Sequence, residues 1–179
     1  MVRVREMTEA DIEAVSGIRV TGWQTAYAGV VPQPYLDAMT VEDDARQRRT
    51  WFARSRGQVL DLVAVDDRAG AVGWASLGPS REGAAGESHG ALYGALCGEL
   101  YALYVRPDVI GTGVGRLLLQ EVHRHAAARR FAGMLLWVLR DNPRARRFYE
   151  TAGYAADGEV RSDPYGEVEL TEVRYSRAL

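Results

Sequence analysis

Residues 2–6, VRVRE, alternate apolar and polar side chains, the period of a strand with one buried face. Thr8 then opens T-E-A-D, a capping residue with a carboxylate three positions on. Ile12, Val15 and Ile18 follow at helical spacing, so the pattern predicts a helix over 9–21. The aromatic stretch GWQTAYAGVVPQPYL reads as a connection. Pro32 and Pro34 open a short helix through Met39, and the Arg- and Asp-rich segment 41–55 reads as a further helix. From Gln58 the period changes to that of strands. QVLDLVAV and AVGWASLG flank the turn DDRAG, which makes 58–78 a hairpin. Residues 79–96 read as a long loop and 99–105, ELYALYV, as a strand. A helix is predicted over 113–129, with Val114, Leu117, Leu118 and Val122 on its apolar face. MLLWVL, 134–139, is a continuous apolar run, as expected of a strand covered on both faces. Asn142-Pro143 is a strong helix start, and the stripe Ala145, Phe148, Tyr149, Ala152 ends at Gly153. Two last strands, YAADGEVR and EVELTEVRYSRAL, surround the turn SDPYG. The order is β-α-α-β-β-β-α-β-α-β-β: an α/β (α+β) chain with a mixed sheet. No linker or compositional break divides it, so residues 1–179 are expected to form a single domain.

Composition narrows the class. The 179 residues are 47% hydrophobic and 26% charged, with a formal net charge of −2. That is enough apolar material for a core, and it lacks the excess positive charge on which non-specific nucleic-acid binding rests. All 22 basic residues are arginine, which removes every lysine-based mechanism. Cys97 is the only cysteine, so no internal disulfide forms. No apolar run approaches the ~18 residues of a membrane span, and the N-terminus lacks the apolar core of a signal peptide. A cytoplasmic protein with no membrane partner is the expectation. His123 and His125 are two apart on one helix and cannot share a metal, so no metal site is expected.

The segment with the most chemistry is YVRPDVIGTGVGRLLLQ, 104–120. A strand there hands over to a helix through Gly111, Gly113 and Gly115. The first N–H groups of a helix have no internal partner, and the helix dipole favours an anion beside them. Glycines let backbone approach a phosphate closely. The spacing G-T-G-V-G is neither that of a dinucleotide loop nor that of a nucleoside-triphosphate loop, which also needs a lysine. A diphosphate of another kind fits. The loop alone is equally compatible with a tight turn and close helix packing.

Together, ELYALYVRPDVIGTGVGRLLLQEV, the buried strand and DNPRARRFYETAGY resemble the GNAT superfamily of acyl-CoA-dependent N-acetyltransferases. The resemblance extends to the entry VREMTEADIEAV, to GWQTAYAGVVPQPYLD and to the ending EVRYSRAL. It implies a mostly antiparallel sheet of about seven strands, splayed at the middle. It implies that acetyl-CoA is the co-substrate. Its pyrophosphate would meet the backbone of Gly111, Thr112, Gly113, Val114, Gly115 and Arg116. Its pantetheine arm would pair with Leu103, Tyr104 and Val105 and touch Asn142. Tyr149 would protonate the leaving thiolate. On periodicity alone, Tyr149 is equally one member of an apolar stripe and Asn142 a plain helix cap. The family pattern has Arg or Gln where this chain has Ile110. Glu99, at the start of the central strand, is the carboxylate expected to relay the amine's proton. Strict alternation would put it on one face with Tyr101 and Leu103. An exposed strand-start Glu is the competing reading.

The same likeness places the acceptor among the N-terminal helices, the 79–96 loop and the last hairpin, with Trp23, Tyr27 and Tyr165 as candidate contacts. The likeness implies a primary amine of a small molecule or peptide as acceptor, and the sequence leaves homodimerisation open. The rival readings are a non-catalytic CoA-binding or regulatory module on the same fold and, with less support, a nucleotide-binding protein.

Overall fold

The computed structural model describes residues 1–81 and 97–179. Seven strands form one sheet in the order β1-β2-β3-β4-β5-β7-β6. They are β1 (Val2–Glu6), β2 (Leu60–Asp66), β3 (Gly70–Pro79), β4 (Cys97–Val105), β5 (Gly133–Leu139), β6 (Ala155–Tyr165) and β7 (Val168–Ala178). Every neighbouring pair is antiparallel except β4 with β5, which run parallel through the crossover helix α4 (Val114–Ala128). The mixed, mostly antiparallel sheet is as the sequence predicts.

Helices α1 (Ile12–Ala26) and α3 (Val41–Arg54) cover one face of the sheet. Ile12, Val15 and Ala45 pack there on Val63 and Trp74. Helices α4 and α5 (Pro143–Thr151) cover the other face, where Leu118, Val122 and Tyr149 join Leu62, Leu77, Met134 and Leu136. Burying a side chain such as Leu118, which is fully enclosed, contributes about 1.5–3 kcal/mol. The short α2 (Gln33–Asp37) places Leu36 in a third cluster with Trp23, Val31, Leu139 and Leu170.

Several boundaries differ from the sequence reading, each for a tertiary reason. The Thr8–Asp11 capping box forms, but it opens a single 3₁₀ turn, Glu9–Asp11, before α1. α1 then continues to Ala26, so GWQTA is helix rather than connection. Trp23 is buried, and Gly22 lets α1 approach the Tyr104 ring, where an added Cβ would stand 3.2 Å from Cδ1. On α4 the buried residues are Val114, Leu118, Leu119, Val122 and Ala126, whereas Leu117 is 41% exposed. Val114 and Leu118 of the expected stripe pack at Gly73 of β3, and Leu119 takes the buried place expected of Leu117. Ser162 to Tyr165 are strand, paired with Val168 to Thr171, so the turn shrinks to Gly166 and Glu167. β4 begins at Cys97, two residues earlier than expected. Most of the expected 79–96 loop lies outside the described residues, as does His89.

Two irregularities position the site. First, β4 carries a bulge: Leu100 pairs with Leu77 and Ala102 with Ser76, leaving Tyr101 as the extra residue. The extra residue reverses the alternation beyond it. Leu100 and Leu103 therefore share the α4 face, while Tyr104 packs on the α1 face. The expectation that Glu99 shares a face with Leu103 is corrected by this bulge. Second, β4 and β5 pair only from Cys97 to Leu100 and from Gly133 to Leu136. Beyond those residues the two strands part.

Candidate active site

The parting of β4 and β5 leaves backbone groups without a ladder partner. The Arg106 N–H donates to the Val72 carbonyl at 2.9 Å. Peptide groups alternate sides along a strand. Those of Tyr104 therefore turn toward β3, and those of Leu103 and Val105 turn toward the opening. A groove with a volume of about 970 Å³ runs from this opening along α4 and α5, at the upper end of the range for small-molecule sites.

At one end of the groove stands the N-terminus of α4. Gly113 caps it with φ +98° and no side-chain hydrogen bond, and Gly111 has φ +87°. The Leu117 N–H donates to the Gly113 carbonyl at 3.0 Å. The N–H groups of Val114, Gly115 and Arg116 precede it and have no intrahelical acceptor. Arg116, Arg144, Arg147 and Arg177 line the groove, against one carboxylate, Asp141. Unpartnered helix N–H groups and a surplus of guanidinium groups along the groove suit an anion.

The opposite wall is α5. The Asn142 side chain accepts from the Ala145 N–H at 3.1 Å and caps the helix. Tyr149, about two turns along, lines the groove while remaining 9% exposed. Burial raises its phenol well above the ordinary value, and the neighbouring phenols of Tyr104 and Tyr154 add to the shift. Both effects favour the protonated phenol.

The groove brings together Leu103, Tyr104, Val105, Gly111, Gly113, Gly115, Arg116, Asn142 and Tyr149. Thr112 is not on its wall, and its hydroxyl donates to the Val109 carbonyl at 2.7 Å. The Val114 side chain is buried in the core. Ile110 lines the groove and is 38% exposed. Trp23, Tyr27 and Tyr165 lie together on the α1 side. The Trp23 indole is 4.7 Å from the Tyr27 ring and 5.4 Å from Tyr165, and its N–H donates to the Tyr104 hydroxyl at 2.7 Å. Tyr104 thus joins this aromatic cluster to the groove.

Glu99 is 1% exposed. Its Oε2 accepts the Arg81 N–H at 2.9 Å, and its Oε1 accepts the Arg81 guanidinium. It is not an exposed strand-start residue: both oxygens are engaged by one arginine.

Two groove residues escaped the sequence reading. His123 is held by Arg177, whose Nη1 lies 3.2 Å from Nδ1, and by the Tyr154 hydroxyl, 2.9 Å from Nε2. Arginine only donates, so the neutral ring carries its proton on Nε2. Burial, and then the Arg177 charge, push the imidazole down to about 4. A signal existed: Arg116, Gln120 and His123 form a polar stripe at i, i+4, i+7 beside the apolar one. Arg177, at the end of the last strand, carried none. Among the described residues no cluster of His, Cys, Asp or Glu could hold a metal. No described helix is long and apolar enough to cross a membrane.

The model of the Acetyltransferase (GNAT) family matches residues 23–154, well over half of the chain. The chain belongs to the GNAT family of acetyltransferases. It is 32% identical over 143 residues to YuaI of Bacillus subtilis, itself named an uncharacterized N-acetyltransferase, covering 80% of this chain and 75% of that protein. A probable N-acetyltransferase of Mycobacterium tuberculosis is 26% identical, covering 97% of this chain and 92% of its own. Among solved structures, the PaiA N-acetyltransferase of Thermoplasma acidophilum, in complex with coenzyme A, superposes with a TM-score of 0.77 at 18% identity. The match covers 100% of this chain and 99% of that one, and at this identity it speaks to the fold.

Proposed function

We propose that this GNAT protein transfers the acetyl group of acetyl-CoA to a primary amine of a small molecule or peptide, by direct attack in a ternary complex. The observation that carries the reading is the parted β4–β5 pair. It turns the Leu103 and Val105 peptide groups into open space between an anion-ready helix end and a buried phenol. The coenzyme A bound in the PaiA structure, on the same fold, supports the choice of ligand.

In this reading the α4 N-terminus, from Gly111 to Arg116, takes the pyrophosphate. Leu103 and Val105 pair with the amide-bearing arm, as an added strand would, and the Asn142 end of α5 closes over it. A main-chain N–H near Val105 faces the developing oxyanion. Tyr149 donates to the departing sulfur. Most of the acceleration comes from holding two reactants side by side. Glu99 is closed to the amine's proton while Arg81 holds both of its oxygens. Trp23, Tyr27 and Tyr165 wall the acceptor side. Residues 1–179 act as one acetyltransferase domain in the cytoplasm.

Titration calorimetry with acetyl-CoA tests the first half; absence of heat at millimolar ligand ends the proposal. An amine panel read by free thiol tests the second. The sealed Glu99 favours one alternative, a CoA-binding module without turnover. That alternative predicts binding with no thiol release from any amine.

A further inference from the structure

The two faces of the β4–β5 opening carry opposite charge. On the α4–α5 side four guanidinium groups meet one carboxylate. On the α1 side the balance is reversed. Arg81, Arg161 and Arg174 face Glu99, Glu172, Asp157 and Asp163: Arg81 pairs with Glu99, Arg174 with Asp157, and Arg161 with both Glu172 and Asp163. One guanidinium is thus shared by two carboxyl groups, which also hydrogen-bond to each other.

Glu172 is the better placed of those two. It stands on β7 directly opposite Leu139, the last residue of β5, three residues beyond the last β4–β5 pair at Leu136. Its neighbour on the same face, Leu170, packs with Leu139, Trp23, Tyr27, Tyr104 and Tyr165. Glu99 pairs with Leu135, four residues further back along β5, or about 13 Å at strand rise. Glu172 is 9% exposed. The Arg161 Nε and Nη2 both reach its Oε2 at 2.6 Å, and Arg161 itself lies 4.4 Å above the Trp137 ring. Its charge is felt by the phenols of Tyr27, Tyr104 and Tyr165.

Resting on the acetyltransferase reading above, we propose that Glu172 meets the acceptor's ammonium group and takes its proton, and that the acceptor is a cationic amine on an aromatic or apolar body. The aromatic walls accept the body and favour a cation at their faces. The carboxylate takes one proton from the ammonium. The freed lone pair bonds to the thioester carbonyl carbon, and the C–S bond breaks with its electrons on sulfur. Tyr149 protonates that sulfur. The second amine proton returns through water to the tyrosinate, and Glu172 releases its own to solvent. The products are the acetamide, the CoA thiol and one proton. Burial holds Glu172 above the ordinary carboxylate range, opposed by Arg161 and reinforced by Asp163, which suits a base. The other groups that face it are Tyr27 from α1, Tyr104 from β4, Tyr165 from β6, Arg174 from β7 with its partner Asp157, and Arg81 beyond β3.

The test compares Glu172→Gln and Glu99→Gln with a panel of arylalkylamines, 2-phenylethylamine among them, and neutral arylamines. Glu172→Gln is expected to lower kcat/KM for the cationic amines about 100-fold, to leave acetyl-CoA affinity within about twofold, and to abolish the acidic limb of the pH profile. Glu172→Asp should restore part of the rate. An unchanged profile, or a large loss from Glu99→Gln alone, overturns the proposal. So does a wild type that binds acetyl-CoA but acetylates no cationic amine. A wild type that does not bind acetyl-CoA removes the acetyltransferase reading itself. If Glu172→Gln does not fold, calorimetry on the CoA-saturated wild type decides. 2-Phenylethylamine should bind at least tenfold tighter than 2-phenylethanol, and equal binding refutes the claim.

Discussion

Replacing Gly113 with alanine isolates the backbone term in the anion site. Gly113 sits at φ +98° and ψ −5°, and a Cβ built there meets nothing within 4 Å. The cost is therefore conformational and not steric. Holding an L-residue in the left-handed region costs about 1–2 kcal/mol. The protein can absorb this in two ways. If the loop keeps its shape, the folded state is strained, and Tm falls by about 2–8 °C for a chain of this size. If the loop relaxes, stability is spared, but the N–H groups of residues 114–116 turn away from the groove. Acetyl-CoA binding must then restore the strained shape, at about 5- to 30-fold in Kd. The two effects are parts of one cycle, so the losses in stability and in binding should together approach 1–2 kcal/mol. Calorimetric titration and a thermal melt on the same sample measure both. A Gly113→Ala protein with unchanged Tm and unchanged Kd would refute the argument that this residue holds the helix end in place for a ligand.

Three further outcomes are expected. Tyr149→Phe should lower kcat about 100-fold with acetyl-CoA affinity within about twofold; because the phenol is held above its ordinary value, the wild-type rate should not fall between pH 8 and 10 through loss of this proton. Ile110→Arg should tighten CoA binding about fivefold at low salt, since the position is exposed on the groove wall; the gain should shrink at high salt, and equal or weaker affinity would contradict the alignment of the loop. His123 should make stability depend on pH: above about 6.5 the ring is neutral folded or unfolded. Between 6.5 and about 4 only the unfolded chain takes the proton, so stability drops as pH falls, by about 1–3 kcal/mol in all, and levels off below. In His123→Gln this component should vanish from melts across pH 4–7.

The glycine loop, the Asn142 cap and the Tyr149 stripe were legible because each is a local device whose spacing is written in consecutive residues. The same holds for the strand periods and for the seven-strand count. The error over Glu99 shows the limit. Alternation placed it beside Leu103, and one extra residue at Tyr101 reversed the face, because a bulge is set by the partner strand. Leu117 failed in the same way: its spacing suits a core face, but the core takes Leu118 and Leu119 instead and leaves Leu117 41% exposed.

By itself, then, the sequence determined the order of elements, the start of α5 at Asn142-Pro143 and the glycine loop ahead of α4, all of which rest on contacts within a few residues. Only the tertiary structure decided that β4 and β5 part after four pairs, that Arg81 seals Glu99, and that His123 and Arg177 meet in the groove. It also decided that Glu172, on the last strand, stands opposite Leu139 at the end of β5. Those facts depend on residues far apart in the chain, brought together by the insertion of β7 between β5 and β6, and no local period records them.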